Sequence, residues 1–289
     1  MGTSTSSSTP CSSTSRPKPL KRLSDLLECA DGLLNDPRLC LDIAADVLRH
    51  PLPWILAHPE AETSDTEAEA FLHAVRRMRE GHPLQYSTGR VRFFGLTLDV
   101  DDSVLIPRPE TELLVEEILR LSLPEKPRVL DVGTGSAALA AALKSNRPDW
   151  RVEAGDVSME ALWTAGRNFQ NLNLSIPHYC AWGLTGVKGS WTVVVSNPPY
   201  IATGDLDGLP PPVQKEPRLA LDGGRDGFEL IAMLIRKAPH YLTRDGYLCL
   251  EIGFDQAGKV LGLARRLGYR RIRVLNDGAG IPRIFIGQW

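Results

Sequence analysis

Apolar positions along the chain follow two regimes, helical spacing first and a strand–helix alternation later. Leu23, Leu26 and Leu27 share one helix face, and Leu41, Ile43, Ala44, Val47 and Leu48 define a second helix that Pro51 and Pro53 should stop. Phe71, Leu72, Val75 and Met78 define another, ending at Gly81. From Gln85 to Val104 the residues turn β-favouring (Tyr86, Val91, Phe93, Phe94, Leu96, Leu98, Val100) and are broken by Gly89 and Gly95, which predicts a hairpin-like linker. Beyond Pro127, Arg128–Val132 reads as a short buried strand, followed by a Gly turn and a helical alanine-rich run. A strand ending at Asp156 precedes a helix through Asn168. Trp191–Ser196 and Tyr247–Gly253 are further strands, a helix runs from Gln256 to Leu267, and two strands close the chain. This alternation predicts an α/β fold with a doubly wound, mostly parallel sheet. The expected layout is a tail over 1–22, a helical domain over 23–84, a hairpin linker over 85–104 and an α/β domain over 105–289.

The tail stands apart by composition. Eleven of the first fifteen residues are Ser or Thr, Arg16, Lys18, Lys21 and Arg22 follow, and no acid precedes Asp25. Such a segment buries no core and should be disordered. It lacks the apolar run of a secretory signal, while its basic, hydroxyl-rich character is shared with organelle transit peptides. The whole chain of 289 residues has 43% hydrophobic and 24% charged residues and a net charge of −2, which is ordinary for a globular protein and excludes a generally basic nucleic-acid coat. No run of about 18 apolar residues is present, so no membrane span is expected. The five cysteines are scattered and the six histidines isolated, with no metal spacing. A reducing, cytoplasmic setting follows. Cys180 and Cys249, in strand-like contexts, read as small core residues.

Two motifs carry chemistry. Asp131, Gly133, Thr134, Gly135, Ser136 and Ala137 form a turn between a strand and a helix, with Asp156 after the next strand. Glycines let the backbone approach a ligand closely, and the later acid is placed to bond ribose hydroxyls. A plain tight strand–helix turn is the alternative. No phosphate-loop Lys follows, and the acid opening the turn would repel a pyrophosphate but could pair with an ammonium. The motif therefore suits S-adenosylmethionine better than NAD. The second motif is Asn197, Pro198, Pro199 and Tyr200, directly after a strand. Asn accepts and donates, and two prolines leave carbonyls without competing N–H groups. This is a rigid set of acceptors aimed at an –NH2 group, with the Tyr ring as a wall for a planar substrate.

A third segment, Val104–Glu116, reads from its residues as a linker feeding a helix that Glu110 or Thr111 could start. Together with Gly81–Gly89, Phe93–Gly95, the two motifs, Glu216–Gly227, Leu250–Gln256 and the closing strand, it closely resembles the protein-(glutamine-N5) methyltransferases that act on peptide-chain release factors. The resemblance covers about residues 25–289. It implies a class I methyltransferase-like domain using S-adenosylmethionine, and methylation of the glutamine of a Gly-Gly-Gln loop. It also implies a release factor as partner, with no direct nucleic-acid or membrane contact. Gly133 to Ala137 would line the methionine side of the cofactor, Asp156 would hold the ribose, and Trp182 would lie against the adenine. Asn197 to Tyr200 would hold the glutamine amide, and Glu110 and Thr111 would pack under or beside the cofactor loop.

Two residues depart from the family pattern. Ala137 stands where a third Gly is usual, so its methyl could crowd the cofactor, and Ala181 stands where an acid often precedes Trp182. Two rivals stay open at this level: transfer to another planar nitrogen, such as adenine or a small metabolite, and a cofactor binder without turnover. The acids of the helical segment (Asp25, Glu28, Asp31, Asp36, Asp42 and Asp46 among them) speak against DNA.

Overall fold

Four helices make up the first of two units in the computed structural model, which describes residues 22–289. The tail through Lys21, Cys11 and the expectation of disorder or targeting lie outside the described residues. The helices are α1 (Leu23–Leu34), α2 (Pro37–Val47), α3 (Leu52–Ala57) and α4 (Asp65–Arg79), and Leu23, Leu26, Ile43, Ile55, Phe71 and Val75 form their core. At the start of α4, Ser64 and Glu67 bond each other's backbone N–H, a reciprocal cap. Pro51 and Pro53 do more than stop a helix. Pro51 is the extended N-cap of α3 and Pro53 sits in its first turn, where a missing N–H costs nothing and the fixed φ is already helical.

The second unit runs from Glu80 to Trp289. It opens with α5 (Leu84–Thr88), so the stretch read as hairpin is helical at its start. Ser87 Oγ bonds the Pro83 carbonyl, Tyr86 is buried with its hydroxyl on the Val104 carbonyl, and Gly89 ends the turn at φ 74. The hairpin itself is β1 (Arg90–Phe93) and β2 (Leu96–Asp99). It is not a free linker, because Phe93 and Leu98 join the main core and Asp99 N–H donates to Asn168 Oδ1 at 2.7 Å.

Next come α6 (Pro109–Leu119), β3 (Arg128–Val132), α7 (Ala138–Asn146), β4 (Arg151–Asp156), α8 (Met159–Asn171), β5 (His178–Cys180) and β6 (Trp191–Ser196). After β6 come the short α9 (Pro211–Gln214) and α10 (Arg218–Leu221), then α11 (Glu229–Lys237), β7 (Leu242–Glu251), α12 (Ala257–Leu267), β8 (Arg270–Asn276) and β9 (Pro282–Gln288). Arg108 caps α6 with Pro109 in its first turn, so neither Glu110 nor Thr111 starts that helix. The sheet order is β5-β4-β3-β6-β7-β9-β8, with only β9 running against the direction of the other strands. The doubly wound, mostly parallel expectation holds.

Side chains alternate across the central strands, which buries both faces. Val129, Val193, Val195 and Cys249 pack under α6, α7 and α8, whereas Leu130, Val194, Leu248 and Leu250 pack under α11 and α12. Helix α11 carried a readable signal, Ile231, Leu234 and Ile235 on one face, and all three are buried. Strand β7 begins earlier than its apolar run, because Arg244, Asp245 and Gly246 form an irregular stretch between the Trp191 and Val193 pairings. Cys249 is buried, but Cys180 is exposed at the sheet edge, against expectation. Among the described residues no helix is long and apolar enough to cross a membrane.

Candidate functional site

Strands β3 and β6 pair in parallel, yet the chain winds outward from them in opposite directions. Their carboxyl ends therefore flank the switch point where open α/β sheets bind ligands. Both chemistry-bearing turns leave the sheet here, side by side, and a cavity of about 1190 Å³ opens between them. Small-molecule sites usually hold ~300–1,000 Å³, so this space admits a cofactor and an acceptor group together.

Gly133 and Gly135 adopt φ of 71° and 53°, and a Cβ on either would meet nothing within 4 Å. The turn thus offers bare backbone to the cavity in a conformation other residues avoid. Asp156 fastens it, accepting from Gly135 N–H at 2.9 Å and Ser158 N–H at 3.0 Å. Each carboxylate oxygen keeps a further lone pair, and Asp156 lines the cavity, as do Thr134, Ser136 and the exposed Trp182. Asp131 differs from expectation. It is fully buried, off the cavity wall, and accepts from Thr134 Oγ1 and Ala140 N–H, tying the turn to α7 instead of meeting an ammonium directly. Its Oδ1 has no partner, and burial pushes the carboxyl up to about 7.

Ala137 has φ 71, the left-handed conformation that explains a usual Gly at this place. Its methyl is buried in the helix–sheet core and the residue is off the cavity wall, so it does not crowd a ligand. Ala137→Gly relieves ~1–2 kcal/mol of backbone strain and forfeits ~0.8 kcal/mol of methyl burial plus unfolded-state entropy of similar size. Thermal melting should show a net change below about 1 kcal/mol. A loss well above that would mean the methyl is a packing element in its own right.

Asn197 sits at the end of β6, and its Nδ2 donates to Thr111 Oγ1 at 3.2 Å. Pro198 and Pro199 line the cavity with it. Tyr200 does not form the wall expected of it. Its half-buried ring packs against the core beside α11, and its hydroxyl donates to Glu251 Oε1 at 3.2 Å. Burial beside that carboxylate drives the phenol's pKa well up.

Further residues of the site lie outside the two motif turns. Thr111 lies under Asn197 and donates to Glu251 Oε2 at 2.6 Å, so its place is beneath the acceptor loop and not only beside the cofactor turn. Glu251 had a signal, a lone acid in an apolar strand, since such residues are rarely buried without a task. Glu216 is buried and binds Ile106 N–H at 3.2 Å and the Arg108 guanidinium. This bond joins the two wall segments, Val104–Pro107 and Pro217–Ala220. Gly223 and Gly227 lie where an added Cβ would fall 2.8 Å from the Pro199 carbonyl and 2.3 Å from the Tyr200 carbonyl, respectively. The glycine-rich segment thus packs backbone to backbone against the Asn-Pro-Pro-Tyr loop. Among the described residues no cluster of His, Cys, Asp or Glu could hold a metal ion.

The chain is similar to known proteins. Residues 109–208 match the family "Methyltransferase small domain", and residues 20–89 match "PrmC N-terminal domain". A release factor glutamine methyltransferase of Moorella thermoacetica is 43% identical over 268 residues, spanning 89% of this chain and 93% of its own length. One from Coxiella burnetii is 37% identical over 259 residues, spanning 87% and 92%. Among solved structures, a methyltransferase from Pyrococcus furiosus superposes with a TM-score of 0.51 at 22% identity, covering 68% of this chain and 89% of that one, a likeness of fold.

Proposed function

We infer the reaction from one premise: this chain belongs to the family of release factor glutamine methyltransferases. It transfers a methyl group from S-adenosylmethionine to the side-chain amide nitrogen of a glutamine, the one in the Gly-Gly-Gln loop of a translation release factor. The observation that carries this reading is the anchoring of Asn197 by its NH2 end, which leaves its carbonyl for an incoming amide.

The residues present fit that cofactor. Bare backbone at Gly133 and Gly135, spare acceptor capacity on Asp156 and an exposed indole at Trp182 surround the cavity. Asp156 would hold the ribose hydroxyls and Trp182 the adenine, with Ala181 leaving an apolar wall where an acid often stands. When bound, the cofactor supplies an electrophilic methyl on a sulfonium leaving group. The protein's task is then orientation. An amide nitrogen is a weak nucleophile because its lone pair is delocalised. Asn197 Oδ1 accepts one amide hydrogen and the Pro198 carbonyl the other, which fixes the nitrogen's direction and favours partial loss of conjugation. Pro198 and Pro199 have no N–H to compete for these acceptors.

Asp156→Ala frees two backbone N–H groups and deletes the ribose acceptor. Charged hydrogen bonds contribute ~1.5–3 kcal/mol, so calorimetry should show S-adenosylhomocysteine bound roughly tenfold to a hundredfold more weakly. Unchanged affinity would confine Asp156 to holding the turn.

The reaction is tested by incubating the full chain with methyl-labelled S-adenosylmethionine and either a release factor or adenine-containing nucleic acid, followed by peptide mapping. Label on the Gly-Gly-Gln glutamine is expected. Label on the nucleic acid, or none on either, overturns the proposal.

A further inference from the structure

The orientation of one amide decides whether this site faces its substrate with an acceptor or a donor. Asn197 can present either end to the cavity, since carbonyl and NH2 have nearly the same shape. What lies behind it settles the matter. Thr111 Oγ1, on the first turn of α6, is 3.2 Å from Asn197 Nδ2 and 2.6 Å from Glu251 Oε2. Glu251 ends β7 and is almost wholly buried, and its other oxygen receives the Tyr200 hydroxyl at 3.2 Å.

A hydroxyl has one proton to give. Thr111 gives it to the carboxylate, so towards Asn197 it can only accept. Asn197 must then turn its NH2 inward and its carbonyl outward. With the carboxylate gone, the Thr111 hydroxyl is free to rotate and donate to Asn197 Oδ1. The flipped amide would set NH2 against the substrate's own NH2, donor against donor. Arg283 is the cation that offsets the Glu251 charge, Glu110 opposes it, and burial raises the carboxyl's pKa. No other described residue supplies Thr111 with a second acceptor.

We propose that Thr111 and Glu251 are positioning residues that set the polarity of the Asn197 amide, so that the catalytic loop shows the glutamine a carbonyl and not a donor. The proposal rests on the reading that Asn197 binds the acceptor amide. It adds that the selection for an –NH2 group, and the rejection of an acceptor such as a carboxylate oxygen, is wired from two residues that never touch the substrate.

The test measures release-factor methylation and S-adenosylhomocysteine affinity in the full chain for Thr111→Val, Thr111→Ser, Glu251→Gln, the Thr111→Val/Glu251→Gln pair, and Asn197→Ala. Thr111→Val should lower kcat by about tenfold to a hundredfold, the range of a misoriented reactant, with cofactor affinity within about twofold. Thr111→Ser, which keeps the hydroxyl, should recover most of that loss. Glu251→Gln offers an oxygen to only one of the two positions met by the Thr111 and Tyr200 hydroxyls, so it should lose kcat only in part, less than Thr111→Val. The double variant should fall little beyond the worse single one, because both act through one orientation. If Thr111→Val keeps kcat within about twofold while Asn197→Ala loses it, the relay is wrong and the reading of Asn197 stands. If Asn197→Ala is also harmless, the reading itself has failed. Parallel losses of kcat and cofactor affinity would show a merely structural role and overturn the relay. Should Thr111→Val not fold, Glu251→Leu, which removes every acceptor for the Thr111 hydroxyl, decides by comparison with Thr111→Ser: kcat within about twofold of the parent protein in Glu251→Leu overturns the relay.

Discussion

Asn197→Ala lowers kcat by about a hundredfold while S-adenosylhomocysteine binds nearly as in the parent protein. On the proposed reading the lost group is a carbonyl that would accept one hydrogen of the substrate amide; Asn197 is held on the cavity wall by a bond from Nδ2 to Thr111. Removing a preorganised polar group of this kind typically costs ~3 kcal/mol, or ~10²-fold. The bond is tightest when the nitrogen is in line for transfer, so its loss falls on the rate and not on ground-state binding. Asn197→Asp is the sharper measurement. It keeps an acceptor and the shape, but its second oxygen would face Thr111 Oγ1, whose proton is already given to Glu251. Partial turnover in Asn197→Asp identifies the acceptor role. Full turnover in both variants would remove the loop from the mechanism.

Gly227→Ala destabilises the fold by about 3 kcal/mol, adding left-handed strain of ~1–2 kcal/mol to overpacking of ~1–3 kcal/mol. Gly227 has φ 69, and its added Cβ would fall 2.3 Å from the Tyr200 carbonyl oxygen, which is rigid backbone. The approach is this close because Gln256 Nε2 binds both carbonyls, Tyr200 at 3.1 Å and Gly227 at 2.8 Å. In a unit of this size ~3 kcal/mol corresponds to a fall of roughly 6–12 °C in Tm. Turnover should fall as well, since the Tyr200 carbonyl belongs to the loop proposed to hold the substrate amide. Gly268→Ala is the control: its φ is 93 but a Cβ would meet nothing within 4 Å. It should cost only the conformational part, ~1–2 kcal/mol. Equal melting shifts in the two variants would mean that the collision at Gly227 is relieved by local movement.

The sheet was readable because the central strands are short apolar runs bounded by Gly, Asp and Pro, and both motif turns follow them directly. Val129 and Leu130 fall on opposite faces, as the two-residue period of a strand requires. What escaped was anything decided by a distant partner. Gln85–Thr88 carries β-favouring Tyr86, yet Pro83 and Gly89 bracket one helical turn there. Asp131 reads as a ligand-facing acid from its motif, but the turn it opens covers it. Tyr200 points away from the cavity because Glu251, fifty-one residues further on, takes its hydroxyl. Glu251 stands out locally only as an acid in an apolar strand and Thr111 only within its segment, since what they do together lies in a bond between α6 and β7.

The long reach of these bonds bears on how the protein is made. Arg108 meets Glu216 across 108 residues, and Thr111 meets Glu251 across 140. A nascent chain that has emerged only as far as Tyr200 already contains both signature turns, yet it has neither the second wall of the cavity nor the carboxylate proposed to align Asn197. Contacts of such high sequence separation form late, after the loop-closure entropy between them has been overcome. Methyl transfer therefore becomes possible only near the end of synthesis, and half-made copies hold no competent centre.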